Sequence, residues 1–383
     1  MKKIAIITTH VIQYQVPLFK ILQDKNIKAD IFFASKHGLR SIHKDHEFKI
    51  KFNWDAGKDY LKGYQSYFPK KQKSKINDFK LSFEGIEKII KKNSYDALIL
   101  LGWSNLHYLN AFWIAKKNNI KIILRAENNL EQKTFFIKAY IKFFILKFFF
   151  KHIDFFLSIG KLNNKFYVHH KVKKKKIFKA PYFVDNAFFD KKKNTDFKKK
   201  SEYDKKKLIL FVGKLINRKR PLDFLKLAKL NSTDQSLHFI MIGDGNLKKK
   251  CKEFIKNKKI KNVTLVGFIN QKELSQYYSI GDLFVMTSDY ETWGLTINEA
   301  MAANIPVICS NKCGAHHDLI KNNKTGYTYV CGDISDLNKK LKLLINNKKL
   351  LTKMKHNTKK IISRFTAQKT AEAIKIILND KKI

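Results

Sequence analysis

The sequence predicts an α/β protein built from two doubly wound domains that face a central cleft. Three observations carry that expectation. The chain has 383 residues, room for two domains that each bury a core. Short apolar runs alternate with helical patterns along it, which argues parallel sheets covered on both faces. The alternation weakens once, in the lysine-rich stretch 185–206, and then restarts.

In the first series, KIAIITT (3–9), ADIFFA (29–34), DALILLG (96–102), IKIILRA (120–126) and DFFLSIG (154–160) read as buried strands. Stretches 81–92, 106–118 and 134–151 read as helices among them. The start MKKIAIITTH has too short an apolar run for a leader peptide, so it reads as the first strand. The second series comprises KLILFVG (207–213), HFIMIGDG (238–245), NVTLVGF (262–268), DLFVMTS (282–288) and IPVICS (305–310). The boundaries expected are a first domain over 1–185, a linker over 186–206, a second domain over 207–362 and a closing helix over 363–383. Lysine runs at 173–176 and 191–200 read as solvated turns and linker.

Lysine and arginine number 78 against 32 acids, a formal charge of +46. The lysines are spread through the chain, and no finger, RNA-recognition or helix-turn-helix signature accompanies them, so nucleic acid is not an expected partner. Two readings stay open: a solvated basic surface, or attraction to an anionic membrane. The stretch FFIKAYIKFFILKFFF (135–150) bears on that choice. Its lysines interrupt it too often for a spanning helix. On a helix, Lys138 and Lys142 lie nearly opposite Lys147 and Lys151. It is either an internal helix with snorkelling lysines or one lying among headgroups. The four cysteines, Cys251, Cys309, Cys313 and Cys331, have no zinc spacing and read as reduced thiols, consistent with cytoplasm.

In doubly wound sheets ligands bind beyond the carboxyl ends of strands, so the residues just after each strand are the informative ones. The strongest segment is SDYETWGLTINEAMAANIPVICS (288–310). Glu291 falls in a loop, a helix opens near Trp293 or Gly294, and Glu299 lies inside it. Backbone N–H groups at Gly294, Leu295 and Thr296 would favour a phosphate, and the two carboxylates could accept hydroxyls. The plainer alternative is that Ser288, Asp289 or Glu291 caps the helix and Glu299 is solvated. In FVGKLINRKRP (211–221), Gly213 ends a strand, and Lys214, Arg218, Lys219 and Arg220 follow, suited to a diphosphate or simply a solvated loop. The Gly-Asp-Gly turn at 243–245 and Phe268 are further candidates, the latter as a stacking surface or as core.

The order of these segments resembles the glycosyltransferases of family 4, over roughly 175–380. The resemblance implies the two-lobed GT-B architecture with Rossmann-like domains, the first for acceptor and the second for donor. Glu291 and Glu299 match that family's paired acids, which grip the donor sugar and the ribose. Lys214 and Lys219 match its basic pair at the donor diphosphate. PYFVDNAFF (181–189) is similar to the segment entering the linker, and SRFTAQKTAEAIKII (363–377) to the final helix returning to the first lobe. Asn304 stands where the family usually has Gly, Trp293 where Phe is common, and Arg220 where Gly often occurs. HVIQYQVPLF (10–19) replaces the usual Gly-rich turn.

The implied activity is transfer of a sugar, with retention, from a nucleoside-diphosphate sugar to a glycan or lipid-linked acceptor in surface polysaccharide or lipopolysaccharide synthesis. Cations and a helix start would take the place of a metal, so no metal or other cofactor is expected. Glu291 and Lys219 carry the catalytic expectation. Gly213, Lys214, Phe268, Gly294, Leu295, Thr296 and Glu299 complete the donor site. Acceptor candidates after first-series strands are Gln13, Tyr14, Trp103, Arg125 and Glu127, with His10 and Asn105. The expected location is cytoplasmic, with peripheral attachment to the inner face of the plasma membrane left open. Competing readings are an epimerase or phosphorylase on the same fold, and a non-catalytic basic surface protein.

Overall fold

A computed structural model describes residues 1–37, 39, 43–44, 51–52, 60–71, 75, 78–131, 135–190, 203 and 205–380. The chain divides into two compact units. One comprises Met1–His43, Ala56–Tyr182 and Thr366–Ile383; the other comprises Lys44–Asp55 and Phe183–Phe365. Much of the expected 186–206 linker, namely 191–202 and 204, lies outside the described residues.

In chain order the first strands are β1 (Lys2–Thr8), β2 (Ile27–Phe33), two short mutually paired strands β3 (His43–Lys44) and β4 (Lys51–Phe52), then β5 (Gln65–Tyr67), β6 (Ala97–Leu100), β7 (Lys121–Leu124), β8 (Phe155–Ser158) and β9 (Ile177–Lys179). Seven of them form one sheet in the order β5-β2-β1-β6-β7-β8-β9, every pairing parallel. The central strands are apolar along their whole length because helices cover both faces. The order reverses direction between β1 and β6, so chain leaves these neighbours toward opposite faces and a crevice opens at their carboxyl ends.

The second unit repeats the plan with β10 (Lys207–Val212), β11 (Leu237–Ile242), β12 (Val263–Gly267), β13 (Leu283–Met286), β14 (Val307–Ser310) and β15 (Gly326–Tyr329). Its order is β12-β11-β10-β13-β14-β15, again wholly parallel, with the reversal between β10 and β13. Each sheet has its own apolar core. Leu98, Ile122 and Phe156 belong to the first, and Phe211, Phe239 and Val285 to the second.

Two expected helices differ in detail. The stretch 81–92 becomes helical only over Ile86–Asn93, because residues 79–81 pair with the start of the next helix instead. Leu106 N–H donates to Phe79 O and His107 N–H to Leu81 O, both at 2.8 Å. The aromatic stretch forms the helix Phe136–Lys151, of which Leu146 and Phe150 alone are buried. It is therefore not internal. No helix among the described residues is long and apolar enough to cross a membrane. All four cysteines are free thiols, three of them buried.

Candidate functional site

In the second unit the site grows from the reversal between β10 and β13. After β10 the chain passes Gly213 and Lys214, makes a single 3-10 turn over Asn217–Lys219 and enters the helix Pro221–Leu230. After β13 it runs through Thr287–Trp293 into the helix Leu295–Ala302. Backbone and side chains stitch the two loops together. Asp289 N–H donates to Arg218 O at 2.9 Å. The buried Thr287 hydroxyl meets Lys219 O at 2.7 Å and Arg220 O at 3.0 Å.

This stitching brings two predicted catalytic residues together. Lys219 Nζ lies 2.6 Å from Glu291 Oε1, with both side chains largely buried. Arg218 approaches the same oxygen at 3.1 Å and donates to Tyr290 O at 3.1 Å. Gly213 is close by; a Cβ there would stand 3.8 Å from Lys219 Cδ. The Glu291 loop is held from behind by the turn after β14. Gly314 N–H donates to Glu291 O at 2.9 Å, and Glu291 N–H donates to Lys312 O at 3.1 Å. Gly314 has to be glycine, since a Cβ would fall 2.1 Å from Thr292 O.

The helix after this loop starts at Leu295 with Gly294 as its N-cap, at φ 103° and without a side-chain cap. Ser288, Asp289 and Glu291 therefore do not cap it, and the plainer alternative fails at this point. The left-handed backbone explains why glycine stands there. Leu295 and Thr296 form the first turn; both are half-buried, and the Thr296 hydroxyl has no hydrogen-bond partner. Glu299, one turn deeper, is not simply solvated. Tyr278 donates to its Oε2 at 3.0 Å. Burial pushes the Glu299 carboxyl up to about 7, while the Tyr278 hydrogen bond and the Lys219 charge pull the other way. Trp293 is buried, with its Nε1 2.7 Å from Asn298 Oδ1. Lys214 and Phe268 sit half-buried just after β10 and β12.

The first unit assembles most of its candidates too. Arg125 and Glu127 follow β7, and Tyr14 lies in the 3-10 turn Gln13–Gln15 after β1. They meet around Tyr182, whose hydroxyl hydrogen-bonds both Tyr14, at 3.0 Å, and Glu127. The Arg125 guanidinium lies over the Tyr182 ring, 5.1 Å from its centroid. Burial raises the Glu127 carboxyl above its ordinary range, opposed by the Tyr182 hydrogen bond and Arg125. Trp103, after β6, donates from Nε1 to Asn128 Oδ1 at 2.8 Å. Asn105 caps the helix Leu106–Lys117 and is structural. His10 pairs with Thr9 at 2.9 Å, and Gln13 sits half-buried beside Tyr14 in the chain.

Sequence reasoning missed Thr287, Tyr278, Gly314 and Tyr182 as parts of these sites. Each acts on a partner far along the chain, and no local pattern marks such contacts. Tyr182 does lie in the PYFVDNAFF segment already singled out.

Comparison with known proteins adds to this geometry. Residues 192–361 match the model of the family described as glycosyl transferases group 1. An α-1,4-N-acetyl-D-galactosaminyltransferase of Campylobacter jejuni, acting on a diNAcBac-PP-undecaprenol-linked sugar, is 27% identical over 72% of each chain. The 2-deoxystreptamine N-acetyl-D-glucosaminyltransferase of Niallia circulans is 30% identical over 43% of each chain. Among solved structures, Anabaena HepE in complex with UDP superposes with a TM-score of 0.75 at 12% identity, over 99% of each chain. That likeness extends the GT-B fold across both units. Residues 192–361 thus match the glycosyl transferases group 1, and the chain is a glycosyltransferase.

Proposed function

We propose that the chain is a retaining, metal-independent transferase of family 4. It moves a sugar from a nucleoside-diphosphate sugar to a glycan or lipid-linked acceptor in surface polysaccharide or lipopolysaccharide synthesis. The observation that carries this reading is the Lys219–Glu291 pair at the reversal of the second sheet, beside an uncapped helix start. As the glycosidic bond breaks, charge develops on the leaving diphosphate. Lys219, Lys214 and the N–H groups of residues 294–296 stabilise it electrostatically. Glu291 holds the donor sugar, Glu299 accepts the ribose hydroxyls, and Phe268 stacks near the base. The acceptor hydroxyl attacks from the face the phosphate leaves and gives that phosphate its proton, so no protein nucleophile is involved. Tyr14, Arg125, Glu127, Gln13 and Trp103 receive the acceptor. The Campylobacter relative's lipid-linked acceptor and the UDP in HepE support the two substrate classes. The enzyme works in the cytoplasm.

Calorimetric titration tests the donor assignment. In excess EDTA, nucleoside diphosphate binds, and Lys219→Ala weakens it by about 1.5–3 kcal/mol, the worth of a charge-assisted contact. Free nucleoside is weakened far less. Equal weakening of both ligands overturns the role of Lys219; loss of diphosphate binding in EDTA, restored by Mg²⁺ or Mn²⁺, overturns metal independence.

A further inference from the structure

We propose that the outer face of the helix Phe136–Lys151 is a docking surface for an anionic bilayer, and that it brings the membrane next to the first unit's acceptor candidates. The second clause rests on the transferase reading above; the first does not.

Leu146 and Phe150 seat the helix on the first unit's core. On the opposite side, Ile137, Ile141, Phe144 and Phe148 follow at spacings of four, three and four, which places them on one straight ridge. Their exposures are 72%, 54%, 48% and 67%. Phe135, Phe136, Tyr140 and Ile145 widen the apolar surface. Monomers rarely leave so continuous an apolar face to water without a use for it.

The lysines identify the occupant. Lys147 and Lys151 border the ridge on one edge, Lys138 and Lys142 on the other, and no acid occurs between Phe135 and His152. An apolar protein groove would leave both rows of cations unmatched. A bilayer takes the ridge at the acyl boundary and meets both rows with phosphates, the lysine stems reaching outward along the surface. The neighbouring helix Leu106–Lys117 carries the same chemistry. Its Phe112 packs on Phe149 at 4.8 Å, the next residue, Trp113, is 59% exposed, and Lys116 and Lys117 end it. Aromatic rings mixed with cations suit the headgroup layer.

One side chain joins this surface to the acceptor candidates. Lys142 Nζ lies 5.8 Å from the centroid of the Trp103 ring, whose Nε1 binds Asn128 beside Glu127. A lipid-linked acceptor leaving the headgroup layer meets Trp103 first.

The test uses the full chain and pelleted vesicles, either pure phosphatidylcholine or one third phosphatidylglycerol. Ionic strength is physiological, where the Debye length is about 8 Å and distant charges are screened. Binding to the anionic vesicles alone is expected. Changing Lys138, Lys142, Lys147 and Lys151 to Gln weakens it roughly a hundredfold or more. The same charge removed at Lys250, Lys252, Lys256 and Lys258, exposed lysines of the second unit, weakens it less than about fivefold. Triple replacement by serine at Ile141, Phe144 and Phe148 abolishes binding while leaving the thermal midpoint and acceptor-free donor hydrolysis unchanged. A Phe144→Trp variant shifts its emission to the blue on anionic vesicles.

Binding to neither vesicle, or equally to both, overturns the proposal. So do equal losses in the two quadruple variants, which would mean that binding follows net charge, and an unshifted emission from bound protein. A dimer that the serine variant dissociates, without vesicle binding, assigns the ridge to a second copy of the chain. Absence of donor hydrolysis in the unaltered protein fails the transferase reading and leaves the vesicle result standing.

Discussion

Arg220 and Asn304, positions where the resemblance to family 4 implies glycine, occupy left-handed backbone at φ 48° and 62°. Each recovers something for the strain. Asn304 tolerates that conformation better than most residues, and its side chain reaches Asp190 at 2.9 Å. Arg220 Nε pairs with Asp223 at 2.6 Å. The departures themselves could be read from the sequence; their partners could not. The same holds for Glu299, whose spacing from Glu291 was legible while its hydrogen bond from Tyr278 was not. That environment has a thermodynamic signature. An unfolded glutamate titrates near 4.5, and folding raises Glu299 to about 7. Between those values the native state binds more protons than the unfolded chain, so stability falls as pH rises. The contribution is complete below about 4.5 and lost above about 7. Glu299→Gln has no such loss. Urea unfolding at about pH 5 and about pH 8 should show the variant gaining on the natural protein by about 1–2 kcal/mol, reduced from the full shift because the carboxyl keeps some contact with water. A difference that is the same at both pH values would place the Glu299 carboxyl at its ordinary pKa.

At the scale of elements, the inner strands were legible because burial on both faces leaves them continuously apolar. Five strands passed unnoticed: the short paired β3 and β4, and QSY in β5, IFK in β9 and GYTY in β15 at sheet edges. Each of these is short and mixed in composition, so no apolar run announces it, whereas the edge strand β12 was legible from its run VTLVG. The loops of the donor site divide in the same way. Their acids and cations stand out in sequence, whereas the turn that supports the Glu291 loop does not. Gly314 is the sharpest case, since its backbone contact with residues 291 and 292 excludes any side chain. Gly314→Ala leaves every charge in place but displaces the carbonyl of Thr292, and with it Glu291. We expect a loss of roughly 1–3 kcal/mol in stability and a weaker affinity for nucleoside-diphosphate sugar, with affinity for the diphosphate less affected. Thermal unfolding and calorimetry of the two ligands check this; an unchanged sugar contribution would separate Glu291 from the donor sugar.

For the whole molecule, the 78 lysines and arginines outnumber the 32 acids by 46, so the acids cannot balance the positive charge. Like-charge repulsion then opposes compactness and is relieved by screening. Raising sodium chloride from low concentration to about 0.3 M should lift the unfolding midpoint by roughly 2–5 °C. A midpoint that falls with salt would mean that attractive pairs such as Lys355–Asp282 outweigh the repulsion. The division of the chain into units bears on a different matter, the order in which they can be completed. The helix Ala367–Asn379 packs on the helix Val16–Asp24, and Thr370 donates to Pro181 O at 3.2 Å, all within the first unit. On the ribosome, the surface that receives this helix is made early and must wait for residues 183–365 to be translated. At about 5–20 residues per second the wait is roughly 10–40 s. The unit begun first is therefore the one closed last. A nascent chain stalled anywhere in the second unit presents an open apolar seat along Val16–Asp24, a natural point for chaperone capture during translation.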